Sequence, residues 1–341
     1  MMKKGSHLIR AAYAEDFKRK AVMLLVLWVI VLIVAIFAVT RGAYEISITK
    51  VLYALFGSAD GASGVVILNI RLPRIVAAIV CGWGLSLSGL CIQSLLKNPL
   101  GSPSTLGISQ GAAFGAALSI VVFGAKIFTV TAFAFCGSMG ATFIILILAR
   151  LRKLSSEAII LAGVALASLF ASATILIQYL ATETELAMVV FWTFGDVARS
   201  GWMEIITMAG ATFLAYLYLT VLRWDLNAMS SGEETAKGLG VNVDGIRLYG
   251  MITAAFIAAL ATAFHGVIAF VGLIAPHMAR RLVGENHSLL IPFSSVLGAL
   301  LLLSADTLGR VLIGSGALPV GVITSFLGAP MFLYLLIRGY K

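Results

Sequence analysis

Runs of about twenty apolar residues recur along almost the whole chain, each as long as a helix needs to be to cross about 30 Å of hydrocarbon. Short polar connections separate these runs. The strands of a membrane barrel would instead alternate apolar and polar residues, whereas a helix satisfies its own backbone in lipid. The pattern therefore predicts an all-α polytopic membrane protein.

The runs predict about ten transmembrane helices in one membrane domain, residues 21–341, after a basic surface-lying arm at 1–20. An apolar stretch inside 181–200 is too short to cross and predicts a re-entrant or interfacial helix, and 46–56 predicts a short amphipathic helix. The predicted crossings are 21–40, 71–96, a third span that contains Gly107, Gly111 and Gly115, 127–149, 157–180, 202–222, 247–267, 270–282, 288–307 and 318–337.

The longest strongly polar connection after residue 74 is the segment 224–246. Ser231 and Glu234 have the spacing of a capping box, so a short helix is predicted to start there, and Gly238 and Gly240 can end or bend it. So short a helix is marginal alone in water and becomes stable mainly by docking on a partner. The segment therefore predicts a coupling element, with an ordinary solvated loop as the alternative.

Composition and charge narrow the class of protein. The 341 residues are 60% hydrophobic and 11% charged, with a mean hydropathy of +1.04, which leaves no room for a soluble domain. A net charge of +9 alone would suit a nucleic-acid partner. With both termini inside and ten crossings, however, 17 of the 24 Lys and Arg residues face the cytoplasm. That distribution follows the positive-inside rule and excludes nucleic acid as the reason for the charge.

Several kinds of chemistry are missing from the sequence. There is no Gly-Lys dipeptide and hence no Walker A loop, and no HExxH or EF-hand motif. No Asp or Glu lies well inside a predicted span, since Glu204 and Asp306 are near outer ends. Ion-coupled carriers commonly keep such groups near the midplane. An ion-coupled secondary transporter is therefore an alternative of lower rank, and no metal or cofactor site is predicted.

Single polar and sulfur-bearing residues have modest predicted roles. The three cysteines, which are Cys81, Cys91 and Cys136, lie in apolar segments without a CxxC pair and are predicted to pack as small residues. We expect His265 and His277 to be hydrogen-bonded between helices. The GASG stretch at 61–64 matches the serine loop of some intramembrane proteases, but its polar setting favours a flexible turn.

Three blocks of sequence resemble the FecCD family. They are RLPRIVAAIVCGWGLSLSGLCIQSLLKNPLGSPSTLGISQGAAFGA at 71–116, GVIAFVGLIAPHMARRLVGENHSLLIPFSSVLGALLLLSADTLGRVL at 266–312, and LPVGVITSFLGAPMFLYLL at 318–336. The resemblance extends over about residues 25–338. Members of this family are permease subunits of ATP-binding cassette (ABC) importers for iron-siderophores, haem and cobalamin.

The resemblance implies a type II ABC importer permease fold and a homodimer in a bacterial or archaeal cytoplasmic membrane, with both termini cytoplasmic. It also implies two cytoplasmic ATPase subunits and an extracytoplasmic substrate-binding protein, so the chain itself is expected to be no enzyme. The expected cargo is an iron chelate, with ferric siderophore first and haem or cobalamin next. The residues themselves do not choose among these cargoes.

The resemblance also implies three groups of functional residues. In the family, two short coupling helices joined at a glycine contact the ATPase, and the joint would be Gly238 or Gly240 here. Outward-facing arginines bind carboxylates of the binding protein. The coupling residues are Ser231, Gly232, Glu233, Glu234, Ala236, Gly238, Leu239, Gly240 and Val241; the docking residues are Arg71, Arg74 and Arg310; and the cytoplasmic gate comprises Asn98, Leu100, Ser155 and Ser156.

Overall fold

The computed structural model describes residues 2–42, 46–57, 62–151, 155–312 and 318–337. All of its regular elements in these ranges are helical. The α-helices are α1 (Met2–Thr40), α2 (Ile48–Phe56), α3 (Ala62–Val65), α4 (Leu72–Leu96), α5 (Ile108–Leu118), α6 (Ile127–Arg150), α7 (Ser156–Leu180), α8 (Glu183–Thr193), α9 (Trp202–Val221), α10 (Arg223–Ser230), α11 (Glu233–Gly238), α12 (Val243–His265), α13 (Val271–Val283), α14 (His287–Leu312) and α15 (Val320–Ile337).

The lengths of these helices confirm a polytopic membrane protein. Seven helices in the described ranges are long and apolar enough to cross a membrane. Two shorter apolar helices, Ile108–Phe123 and Val320–Tyr334, correspond to predicted crossings as well, and α13 corresponds to the segment predicted at 270–282. The predicted short helices at 46–56 and within 181–200 are present as α2 and α8.

Two helix starts differ from the sequence prediction. The basic arm is continuous with the first span in α1, because no proline interrupts the chain there. The second span begins before residue 71, because Ala62–Val65 is helical and continues through a π-helical turn, Val66–Arg71, into α4. Ser63 is therefore helical and not part of a flexible turn; Gly61 lies outside the described residues. The wider turn precedes Pro73, which cannot donate a backbone hydrogen bond.

Helix α4 is the centre of the fold and packs against α14, α12, α13 and α9. The approach is closest at glycines. A Cβ atom on Gly89 would lie 1.7 Å from the carbonyl oxygen of Gly272, and one on Gly82 would lie 2.3 Å from that of Gly298. Small residues at helix crossings permit this proximity. Cys81 and Cys91 are buried in the same packing, whereas Cys136 on α6 is exposed.

Substitution of Gly89 by alanine is expected to destabilise the fold. The new methyl group would collide with backbone of α13, which cannot rotate away as a side chain can. Overpacking of this kind costs about 1–3 kcal/mol or more. The matched control is Gly140→Ala on α6, where a Cβ would have no atom within 4 Å. Thermal unfolding of the purified protein should separate the two variants, and equal midpoints would contradict the packing described here.

Candidate functional site

The two ends of α4 define two polar regions of the molecule. Because α4 and α14 are antiparallel, Arg74 meets Asp306 at one end, and Ser94 meets His287 at the other. We call the first region the arginine end. The second contains the last turn of α4 together with α10 and α11, and we call it the coupling end.

The polar segment 224–246 contains two short helices, α10 and α11, as expected of a coupling element. The predicted capping box is wrong, because Ser231 ends α10 and Gly232 is the residue before α11. The joint between the helices is Gly232, with φ of 133°, and not Gly238 or Gly240. Only glycine adopts such a φ at little cost. Gly238 ends α11, and Gly240, at φ of 86°, turns the chain after it.

The coupling residues divide by exposure. Ala236 is fully buried in the main hydrophobic core and anchors α11, whereas Leu239 is 71% exposed at its C-terminal end. Helix α11 is thus held to the core on one side and presents an apolar side chain on the other. The half-buried members are Gly232, Glu233 and Val241, and the exposed ones are Ser231, Glu234, Gly238, Leu239 and Gly240.

Arg247 is a residue of the coupling end whose role the sequence did not reveal. The residue is 1% exposed. Its Nη2 atom pairs with the Glu233 carboxylate of α11, and its Nε donates to the carbonyl oxygen of Leu95 on α4 at 3.4 Å. From the sequence it counted only as one cytoplasmic positive charge; its position five residues into an apolar helix was the available signal.

A second polar network at the coupling end was also missed. One ring nitrogen of His287 lies 2.8 Å from the Ser94 hydroxyl of α4, and the other lies 2.8 Å from the Asn227 side-chain oxygen of α10. Gln93 accepts a hydrogen bond from Arg280 and donates to the carbonyl of Leu273 at 3.2 Å. Gln93, Ser94, Arg280 and His287 line a cavity of about 350 Å³. Each of them has a hydrogen-bond partner in another element, so the cavity has the character of a structural junction.

The predicted gate residues lie in the turn after α4 and at the start of α7. Asn98 and Leu100 form the turn after α4, where the Asn98 side chain accepts a hydrogen bond from the Leu100 amide at 2.9 Å. Ser155 caps α7 by accepting from the Ala158 amide at 3.2 Å, and Ser156 is the first residue of that helix. The chain that follows the turn packs on α7, since a Cβ on Gly163 would lie 3.0 Å from the Cα of Leu106.

The arginine end brings Arg71, Arg74 and Arg310 together; Arg71 and Arg310 are buried there, and Arg74 is largely buried. Arg71 is 6% exposed and donates to the carbonyl of Val39 at 2.6 Å. Arg74 donates to the Asp306 carboxylate at 2.8 Å, and Arg310 is ion-paired with it at 3.1 Å. Asp306 has no exposure. A buried carboxylate between two guanidinium groups offsets the cost of burying all three charges.

The loop after α8 extends this cluster. Asp196 lies 3.8 Å from Arg74 and is about one-third exposed. Arg199 donates to the carbonyl oxygens of Trp192 and Phe191 at 3.0 and 2.5 Å. Burial lowers the pKa of Arg199, and the nearby Asp196 carboxylate opposes that shift.

His265 and His277, for which the sequence predicts only hydrogen bonds, lie on different helices. His265 ends α12 and is 1% exposed, and its Nδ1 lies 3.0 Å from the Ala261 carbonyl of the same helix. The hydrogen bond predicted between helices is therefore wrong for His265, because its Nδ1 lies against a carbonyl of its own helix, one turn earlier. His277 lies on α13, and no group of three or more His, Cys, Asp or Glu residues in the described ranges could hold a metal ion.

Comparison with known proteins agrees with this architecture. Residues 29–338 match the sequence profile of the FecCD transport family. A solved inward-facing structure named for a metal-chelate type ABC transporter has a TM-score of 0.82 and 31% identity, and covers 94% of this chain and 100% of its own. A Methanocaldococcus jannaschii protein named as an ABC transporter permease is 47% identical over 95% of this chain and 96% of its own length.

Other relatives have names that specify a cargo. A Bacillus subtilis permease of an Fe(3+)-citrate import system is 34% identical over 94% of this chain and 96% of its own length. Relatives of 34–35% identity, which match 80–93% of this chain and 82–95% of their own, are named for hemin in Yersinia pestis, molybdate in Haemophilus influenzae and vitamin B12 in Vibrio cholerae.

Proposed function

Because this chain belongs to the FecCD transport family, we propose that it is the permease subunit of an ABC importer and forms a dimeric translocation pathway for an iron chelate. The observation that carries this proposal is the pair α10 and α11. They are anchored to the membrane core through Ala236 but present Leu239 to solvent, in a chain without a Walker A loop. Such a surface suits a separate ATPase that supplies the energy.

The proposed orientation puts the coupling end and both termini in the cytoplasm. The support is the bias of Lys and Arg toward that side. A cysteine in place of the exposed Leu239, in a background without Cys136, should react with a membrane-impermeant thiol reagent only from the cytoplasmic side. Reaction from the opposite side would contradict this orientation.

We place a second copy of the chain against α7 and α15. In the single chain, α7 is among the least buried spans, and Tyr179 on α7 and Phe326 on α15 are 85% and 78% exposed. Gln178 near the end of α7 adds a polar group that is poorly suited to lipid. The purified complex should contain two copies of this chain, and a single copy would contradict the pairing.

At the coupling end, α10 and α11 are the proposed ATPase contact, and the Asn98 turn with the start of α7 is the proposed gate. The contact between the 101–107 segment and α7 supports this pairing of elements. An almost uncharged lining of Ala, Gly, Leu, Ser and Thr on α7 suits a bulky chelate that must not bind tightly in transit.

For the arginine end we propose docking of the substrate-binding protein through Arg71, Arg74 and Arg310. On docking, these arginines would have to give up their internal partners and form charge-assisted pairs with carboxylates of that protein instead. Arg71→Gln removes the charge but nearly keeps the volume, and is expected to weaken binding of the binding protein at least about tenfold. Unchanged affinity in a variant with an unchanged thermal midpoint would contradict this role.

The identity of the cargo is the most specific part of the proposal. Ferric siderophore leads, and the relatives named for Fe(3+)-citrate, hemin and vitamin B12 support a chelate of this size class. The test is uptake of labelled ferric siderophore, haem, cobalamin and molybdate into vesicles that hold the complete importer. ATP-dependent uptake of a ferric siderophore alone supports the proposal, whereas uptake of molybdate alone would contradict it.

A further inference from the structure

One guanidinium joins three helices where the coupling segment meets the membrane core. Arg247 lies in the second turn of α12 and is 1% exposed. It pairs with Glu233 in the first turn of α11, and its Nε donates to the Leu95 carbonyl in the last turn of α4. It therefore connects the proposed ATPase contact directly with the end of the central helix.

Arg247 stabilises both the end of α4 and Glu233 electrostatically. The last carbonyls of a helix have no partner within the helix, and a cation near them is favoured by the helix dipole. Glu233, at 38% side-chain exposure, is the accessible half of the pair, and Arg247, at 2%, is the buried half. A buried charge that loses its partner is costly. Neither α11 nor the end of α4 can therefore move away from Arg247 freely.

The end of α4 is in turn tightly connected to the Asn98 turn. Lys97 ends the helix in the left-handed conformation, at φ of 49°. The Asn98 amide donates back to the Gln93 carbonyl at 3.2 Å, and the Asn98 carbonyl accepts from Gly101 at 3.0 Å. A turn held at both sides in this way moves as a unit with the last turn of α4.

A second connection converges on the same place. The Asn227 side chain of α10 reaches Ser94 of α4 through the His287 ring, with both nitrogen-to-oxygen distances at 2.8 Å. Ser94 is adjacent in sequence to Leu95, the residue that Arg247 contacts. Each of the two coupling helices is thus tied to the last turn of α4.

We propose that Arg247 is a positioning residue that ties α11 to the last turn of α4, so that movement of α11 carries the Asn98 turn with it. The identity of the moving partner, an ATPase, rests on the proposed function. The tie itself rests on the contacts of Arg247 with Glu233 and Leu95.

The chain provides a matched pair of glutamates for the test. Glu233 and Glu234 both lie in the first turn of α11, so either change to glutamine removes the same helix-dipole contribution. Only Glu233 pairs with Arg247; Glu234 is exposed and makes no ion pair with a described residue. Because Glu233 is the accessible partner and glutamine keeps an oxygen acceptor, Glu233→Gln weakens the pair without removing the packing around Arg247. The thermal midpoint of the variant reports whether the fold is retained.

The experiment uses the complete importer in lipid, with its ATPase and binding protein. Two quantities are measured for each variant: cargo imported per ATP hydrolysed, and the distance distribution between spin labels at Leu239→Cys and Leu100→Cys in a Cys136→Ala background. We expect Glu233→Gln to lower import per ATP by on the order of tenfold and to broaden the distance distribution. Glu234→Gln should leave the distance distribution unchanged and lower import per ATP less than Glu233→Gln does.

Equal behaviour of the two glutamine variants in both measurements would overturn the proposal. Arg247→Lys keeps the charge but loses the planar guanidinium group. Values of both quantities between those of the parent and of Glu233→Gln would further support the proposal. The two proposals fail differently. If the parent importer shows no ATP-driven uptake, the proposed function is wrong, while the distance measurement still reports whether Glu233 holds α11 to the end of α4.

Discussion

Replacement of Lys237 by proline is expected to abolish ATP-driven import, to below about one-hundredth of the parent rate, while the membrane fold persists. Lys237 lies inside α11, and its side chain is exposed. Proline there removes an amide donor and clashes with the preceding turn, which costs about 3 kcal/mol or more. That cost exceeds the stability of a helix of only six residues. Helix α11 should therefore unfold, and the proposed ATPase contact should be lost.

One control isolates this effect. Lys237→Ala removes the same side chain but keeps the helix, and should import normally. Purification yield and thermal midpoint report whether each variant is folded. Normal import by a folded Lys237→Pro variant would contradict a coupling role for α11.

Substitution of Asp306 by asparagine is expected to produce the largest loss of stability at the arginine end. The carboxylate is fully buried between Arg74 and Arg310, so its neutralisation removes the counter-charge that these two largely buried cations share. Breaking a buried pair costs about 3–5 kcal/mol, which corresponds to a fall in the thermal midpoint on the order of 10 °C. Thermal unfolding of the purified protein measures it.

The control for this prediction is Asp196→Asn. Asp196 lies near the same Arg74 at 3.8 Å but is about one-third exposed, and asparagine can still accept the hydrogen bond from the Ala198 amide. Exposed pairs contribute about 0–1 kcal/mol, so the midpoint should hardly change. If Asp306→Asn is as stable as Asp196→Asn, Asp306 does not neutralise the two arginines.

The spans could be predicted from the sequence because the apolar runs determine them locally. Helix α12 was placed within a few residues, and the coupling segment was located from its polarity alone. The joint at Gly232 was misplaced, because Ser231 fits the start of one short helix as well as the end of another. Local spacing does not reveal where the first helix stops.

The partners of the buried charges could not be predicted. Arg74 and Asp306 are 232 positions apart, and Arg247 and Leu95 are 152 apart. Only the packing of α4 against α14 and α12 brings them together. The sequence also gave no reason to expect burial of the predicted docking arginines, since an arginine near a helix end can equally snorkel to the interface.

The driving force of import tests the central claim most directly. Vesicles are prepared that hold this chain with its ATPase and binding protein, and labelled cargo is added outside. Internal ATP and the ion gradients are then varied separately. The proposed function predicts uptake that requires hydrolysable ATP inside and continues when the gradients are collapsed. Uptake that follows an ion gradient and does not depend on ATP would contradict it. Helices α10 and α11 would then be an ordinary connection between spans.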